Sequence, residues 1–219
     1  MQNIPSKSRL RELRTCVVAP EGRVLVVADY SQIELRVAAK VAGEEAMLEA
    51  YREGKDLHGM TARSVTEREE VSEGERKLAK AVNFGLLYGQ GAEGLRNYAR
   101  NSYGVEMSLS QAERYRRRFF KAYPAIRSWH RKEGKSFDAG NNTSQSLMGR
   151  MRRVGRFTEK INHPVQGTAA DGMKMALALL WERRDECSAG ASQAHGAVLD
   201  RGWCAGPEHG PGEEGRDGE

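Results

Sequence analysis

The chain is poor in cysteine: Cys16, Cys187 and Cys204 are the only three in 219 residues. Their spacing suits neither a metal site nor a disulfide framework, which excludes a zinc ribbon and a stapled secreted fold and implies free intracellular thiols. No apolar run reaches the roughly 18 residues of a membrane span. The N-terminus carries no signal-peptide pattern, so the expected location is cytoplasmic. Internal repeats are absent, and low complexity is confined to the Gly-rich end. The length suffices for one or two domains with a real core.

Charge is abundant but unevenly placed. The net charge is +5 and the pI about 9.2. Residues 110–160 hold fourteen Lys or Arg against four Asp or Glu. RYRRRFFKAYP, RSWHRKEGK and GRMRRVGR supply this excess, with Phe119, Phe120, Tyr123 and Trp129 interleaved. A basic stripe with aromatics is the footprint of phosphate-backbone contact. A solvated basic helix face is the alternative.

The most informative pattern is the run RKLAKAVNFGLLYG, in which Arg76, Lys80, Phe84 and Tyr88 recur every fourth residue. On a helix, each such step rises about 6 Å and turns about 40°. The result is a slowly turning stripe about 18 Å long, two cations followed by two aromatics. That length matches a nucleoside triphosphate, with cations for the phosphates and aromatic faces for the base. Taken alone, the run also fits an ordinary amphipathic helix.

Upstream, VLVVADYSQIELR occupies residues 24–36. Its apolar run follows the turn signal Pro20-Glu21-Gly22 and reads as a strand near residues 23–28, buried on both faces and ending at Asp29. A carboxylate there either binds a metal or pairs. The alternative is that Asp29 and Ser31 cap the helix IELRVAAKVAG.

Together, DYSQIELR and R-x3-K-x3-F-G-x2-Y-G resemble motifs A and B of the family A DNA polymerases. NHPVQGTAADGMKMAL, residues 162–177, resembles the segment leading into that family's last palm motif, and QNIP at residues 2–5 resembles the start of its palm. The resemblance spans residues 2 to about 187. It implies an α+β fold: a split palm with a partial antiparallel sheet, a mainly helical fingers subdomain, and an irregular C-terminal tail. Residues 1–40 would be the first part of the palm, 41–135 the fingers with the motif B helix, and 136–187 the second part of the palm. Residues 188–219 would be a disordered or aberrant tail.

The implied reaction is template-directed DNA synthesis from dNTPs on primer–template DNA, by a monomer that uses two Mg²⁺ ions. Asp29 would ligate both ions, with the Tyr30 carbonyl on one of them. Glu34 would sit under the sugar, exclude ribose and bond Tyr88. His58, in KDLHGMTA, would reach the triphosphate. Arg76 would hold the γ-phosphate, and Lys80, as a catalytic cation, the α-phosphate. Phe84 would pack on the nucleotide and Tyr88 would close over the nascent pair. Asn162, Gln166, Gln2 and Asn3 would contact the duplex. Plain alternatives exist: His58 as a first-turn helix residue, Asn162 before a Pro turn, and Gln166-Gly167 at a helix start.

The pattern departs from the family at both ends. Met1 stands where the family often has Leu before QNIP, and no thumb precedes it. The His-Asp-Glu triplet expected after WERRDEC is replaced by SAGASQAHGAVLDRGWCAGPEHGPGEEGRDGE. Asp200 lies close to the expected second carboxylate, but Arg201-Gly202 follow it. Two Mg²⁺ ions are poorly neutralised by Asp29 alone, so chemistry should be crippled while DNA and nucleotide contacts survive. The competing reading is a non-catalytic DNA-binding remnant. A single-subunit RNA polymerase fits less well, because a bulky Glu34 under the sugar excludes ribose.

Overall fold

The computed structural model describes residues 16–184, apart from Val24, Val26 and Val27. The expectations for Gln2, Asn3, Asp200 and the 188–219 tail lie outside the described residues. The chain divides into two compact units, Met1–Ser31 with Leu179–Glu219, and Gln32–Ala178.

The second unit is mostly helical. Helices α1 (Ile33–Ala42), α2 (Glu45–Arg52), α3 (Leu57–Thr66), α4 (Glu73–Leu87), α5 (Ala92–Tyr103), α6 (Leu109–Ala122) and α7 (Pro124–Asp138) come first. A hairpin of β1 (Thr143–Gln145) and β2 (Met151–Arg153) follows, then the long α8 (Phe157–Glu182), whose residues from Leu179 onward are counted with the first unit. The hairpin is antiparallel, with Ser144 opposite Arg152. No helix among the described residues is long and apolar enough to cross a membrane.

Local sequence sets the helix ends. Ser72 with Glu75, and Ser108 with Gln111, form reciprocal capping boxes that open α4 and α6. Pro124 opens α7. The buried Glu44 carboxylate accepts from the Ala125 backbone N–H at 2.8 Å, so the α1–α2 turn also caps α7. The core gathers around α4, whose Leu78, Val82, Leu86 and Leu87 pack with Leu57, Leu95, Phe119 and Ile126. Gly85 permits this packing: a Cβ there would lie 2.9 Å from the Leu95 side chain. Gly89, at φ 73°, supplies the left-handed turn after α4.

Three sequence expectations are corrected. Val24, Val26 and Val27 of the expected 23–28 strand lie outside the described residues, but Leu25 is 55% exposed, so the expected burial on both faces does not hold there. A strand buried on both faces needs neighbours, and no described strand pairs with this segment. The N-cap of α1 is neither Asp29 nor Ser31 but Gln32, at φ 54° with no side-chain cap bond. The last helix starts at Phe157, not near Val165, and carries Pro164 in its interior. Pro164 cannot donate to the Lys160 carbonyl, which instead accepts from Ser144 Oγ of β1 at 2.9 Å.

Lys160 is itself buried, at 1% exposure. Its Nζ donates to the Asn141 carbonyl at 2.7 Å and the Thr143 carbonyl at 3.1 Å, with Glu133 Oε2 3.7 Å away. It ties α7, the hairpin and α8 together. Lys160→Met is expected to cost about 3 kcal/mol, because it strands Glu133 and two carbonyls. Denaturant unfolding of the variant and the parent measures this, and an unchanged midpoint would refute it.

Candidate functional site

Helix α4 is buried along most of its length: Leu78, Ala79, Ala81, Val82, Asn83, Gly85, Leu86 and Leu87 are all enclosed. Arg76 and Lys80 are exposed, and Phe84 and Tyr88 half-buried. The stripe expected from sequence thus lies on an open side of the helix, alongside the exposed Glu73 and Lys77 of its first turns. Tyr88 is the residue that caps it.

The neighbours of each stripe residue come from different elements. Arg76 is gripped by Asp56, the N-cap of α3, through Nε to Oδ2 at 2.7 Å and Nη2 to Oδ1 at 3.1 Å. This fork holds the Asp56 carboxyl below the usual range, chiefly through the Arg76 hydrogen bond, and raises the guanidinium in turn. Lys80 forms no ion pair among the described residues. The Phe84 ring centroid lies 6.1 Å from that of His58.

His58 is 1% exposed, in the first turn of α3. Burial lowers its pKa to about 4, and the charges of Lys80 and then Arg76 push it the same way. The ring is therefore neutral at pH 7. Asn83 Nδ2 lies 2.8 Å from His58 Nδ1. An amide N–H donated there leaves the ring proton on Nε2, a buried atom without a hydrogen-bond partner. Asn83 Oδ1 in turn accepts from Thr61 Oγ1 at 3.0 Å, and Thr61 meets the Tyr123 hydroxyl at 2.8 Å. Burial raises the Tyr123 hydroxyl to about 12, so it stays protonated.

At the other end of the stripe, the Tyr88 hydroxyl donates to the Glu34 carboxylate of α1. Burial first, and then this bond, raise the Tyr88 pKa, while the Gln166 side chain beside it opposes the rise. Glu34, Tyr88 and Gln166 therefore meet. Asn162 and Gln166, one turn apart on α8, line an open groove of about 400 Å³ with Arg150, Arg152 and His163. Asn162 Oδ1 is buried without a partner. Arg150 is held by Asp171 at 2.9 Å and by the Gly167 carbonyl at 2.8 Å.

A model of DNA polymerase family A matches residues 1–193. The chain belongs to DNA polymerase family A. Its relatives in that family include DNA polymerase I of Aquifex aeolicus, 44% identical over 172 residues, covering 77% of this chain and 30% of the relative. The thermostable DNA polymerase I of Thermus aquaticus is 35% identical over 206 residues, covering 86% of this chain and 24% of the relative. Among solved structures, the polymerase domain of Pol1 from M. smegmatis, in complex with DNA primer–template and dNTP, superposes with a TM-score of 0.72 at 27% identity. That match covers 86% of this chain and 35% of the other. The chain spans a third or less of the length of these family A relatives. The α+β class expected from sequence agrees with the family A polymerase domain.

Asp29 and Tyr30 belong to the first unit, with Asp29 exposed and Tyr30 half-buried. Among the described residues, no three His, Cys, Asp or Glu side chains cluster to hold a metal. Mg²⁺ asks for only one or two carboxylates beside substrate phosphates, and Asp29 fits that minimal demand for one ion.

Three of the four aromatics expected in the basic stripe are misread; Phe120 stays half-buried, with the Arg116 guanidinium 5.4 Å from its ring centroid. Phe119 is fully buried, and Tyr123 and Trp129 are 2% and 8% exposed, so they are core residues of the amphipathic α6 and α7. Three of the fourteen cations are also spent internally: Arg118 on Glu67 and the Val65 carbonyl, Arg150 on Asp171, and Lys160 as described. The remaining cations face solvent. Asp56 and Asn83 are the functional candidates that sequence reasoning missed. KDLH offered a weak signal, an Asp at a helix start, but its partner Arg76 lies twenty residues on.

Proposed function

We propose that this chain carries the nucleotide- and duplex-gripping part of template-directed DNA synthesis, the transfer of a nucleotide from a dNTP to a primer 3′-hydroxyl. The carrying observation is an open side of α4. Arg76, Lys80, Phe84 and Tyr88 line it, with the neutral His58, whose Nε2 has no hydrogen-bond partner, beside the cations and Glu34 bonded to Tyr88. Family membership and the likeness to a polymerase domain solved with primer–template and dNTP support the reading.

In this reading, residues 1–40 and 136–187 are palm, 41–135 are fingers, and 188–219 form the tail. Arg76 and Lys80 take the phosphates, offsetting charge that builds up in the transition state. His58 Nε2–H donates to a phosphate oxygen. Phe84 packs on the nucleotide, and Glu34, pinned by Tyr88, fills the space a ribose hydroxyl needs. Asn162 and Gln166 contact the duplex from their groove, and Gln2 and Asn3 do so from the start of the palm. Asp29 and the Tyr30 carbonyl would hold Mg²⁺, which supplies charge neutralisation at the phosphates when bound.

The test separates gripping from chemistry. In Mg²⁺ buffer the chain is expected to bind dATP more tightly than ATP, and Lys80→Ala and Phe84→Ala should each weaken dATP by about tenfold or more. Primer extension by the chain as given is expected to be undetectable, since no His-Asp-Glu triplet follows Cys187 in its sequence. Absence of dATP binding, or equal binding of ATP, sinks the nucleotide reading. Mg²⁺-dependent extension abolished by Asp200→Ala would make Asp200 the second ligand.

A further inference from the structure

We propose that Asp56 is a positioning residue that sets both Arg76 and His58 for the phosphates, an inference that rests on the nucleotide reading above. One carboxylate does two jobs here. Oδ1 accepts from the His58 backbone N–H at 3.2 Å and from Arg76 Nη2 at 3.1 Å, while Oδ2 accepts from Arg76 Nε at 2.7 Å. It thereby joins the first turn of α3 to the first turn of α4.

The geometry of the fork matters. A guanidinium has five N–H donors in one plane. Asp56 occupies the Nε–Nη2 edge, leaving both Nη1 donors and one on Nη2 pointing away. The pair is half-exposed, with side chains at 46% and 44% accessibility, so the open edge is reachable from solvent. A free Arg gives up side-chain freedom when it captures a phosphate, whereas this one is already ordered. The same N-cap fixes the turn that carries His58, whose ring is oriented independently by Asn83. Asp56 brings a negative charge toward a phosphate site, but Arg76 and the α3 N-terminus both offset it.

The competing possibility is that Asp56 occupies Arg76 in place of phosphate, and the two ideas predict opposite signs. The experiment is calorimetric titration of the full chain with dATP, and separately with dAMP, in Mg²⁺ buffer. Asp56→Asn keeps an N-cap acceptor but removes the charge, and is expected to weaken dATP by about tenfold while leaving dAMP unchanged. Asp56→Ser, another good cap, should behave alike, which guards against a folding defect in either variant. Arg76→Lys should cost dATP a similar factor, and the Asp56→Asn, Arg76→Lys double variant little more, since both act through one contact.

Unchanged or tighter dATP binding in Asp56→Asn overturns the proposal, the latter by showing that Asp56 competes with phosphate. Equal losses for dAMP and dATP, or full additivity in the double variant, also overturn it. Parent chain that fails to bind dATP fails the nucleotide reading and this inference with it. Parent binding with an indifferent Asp56 fails this inference alone.

Discussion

Acidification from pH 6.5 to pH 4 is expected to strip the chain of on the order of 5 kcal/mol of stability, through two buried histidines. His58 and His130 both have their pKa lowered to about 4. Burial is the leading cause for each. At His58 the charges of Lys80 and Arg76 add to it, with Asp56 opposing. At His130 the bond to the Leu87 carbonyl opposes it and Arg116 adds to it. The folded pKa lies below the ordinary 6.5, so near pH 5 the unfolded chain binds more protons than the folded one. The contribution is therefore whole above pH 6.5 and is lost as pH falls toward 4. A loss of this size is comparable to the total stability of many domains. Thermal melts from pH 7.5 to 4 should show a steep fall within that window. The His58→Gln, His130→Gln double variant should flatten it, since Gln keeps an N–H for the Leu87 carbonyl and cannot charge. A slope that survives the double variant would assign the acid lability to carboxylates.

The legible parts of this chain were those written at short sequence range. The stripe from Arg76 to Tyr88 was visible because a helix converts a four-residue period directly into a line of side chains. Its lying along an open side of α4 was not visible, since that depends on what Leu95, Phe119 and Ile126 cover. The Glu34–Tyr88 bond came from family resemblance, not from any local pattern. Asp56 and Asn83 escaped notice because their partners, Arg76 and His58, lie 20 and 25 residues away. The hairpin was hidden by brevity: TSQ and MRR are three residues each, too short for alternation to register. The start of α8 was hidden by Pro164, a good helix breaker by rule, whose cost a hydroxyl from β1 offsets. Phe119, Tyr123 and Trp129 were misread because composition cannot tell which face of a helix a ring occupies.

Binding to primer–template DNA is expected to weaken about a thousandfold between 50 and 200 mM salt, if six phosphates are engaged at a slope of about −5. The contact groups are the solvent-facing cations of α6 and α7: Arg114, Arg116, Arg117 and Lys121 on the first, Arg127, Arg131, Lys132 and Lys135 on the second. None forms an ion pair among the described residues, so each can displace a counterion on reaching a phosphate. Arg127, Arg131 and Lys135 recur every fourth residue, about 6 Å apart along one helix face, close to the spacing of successive phosphates on a strand. With Phe119, Tyr123 and Trp129 buried in the core and the half-buried Tyr115 and Phe120 each under an arginine, little base stacking is available from this face, and two unrelated duplex sequences should bind alike. Arg131→Ala and Lys135→Ala are each expected to lower the salt slope by about 1, uniformly across sequences. Arg118→Ala serves as the internal control: its guanidinium is committed to Glu67 and the Val65 carbonyl, so it should lower the melting temperature and leave the slope alone. Fluorescence anisotropy with a labelled primer–template, titrated from 50 to 200 mM salt, reads all of these. Salt-independent binding, no binding at 50 mM, or a slope lowered by Arg118→Ala but not by Arg131→Ala would remove this face from the DNA path.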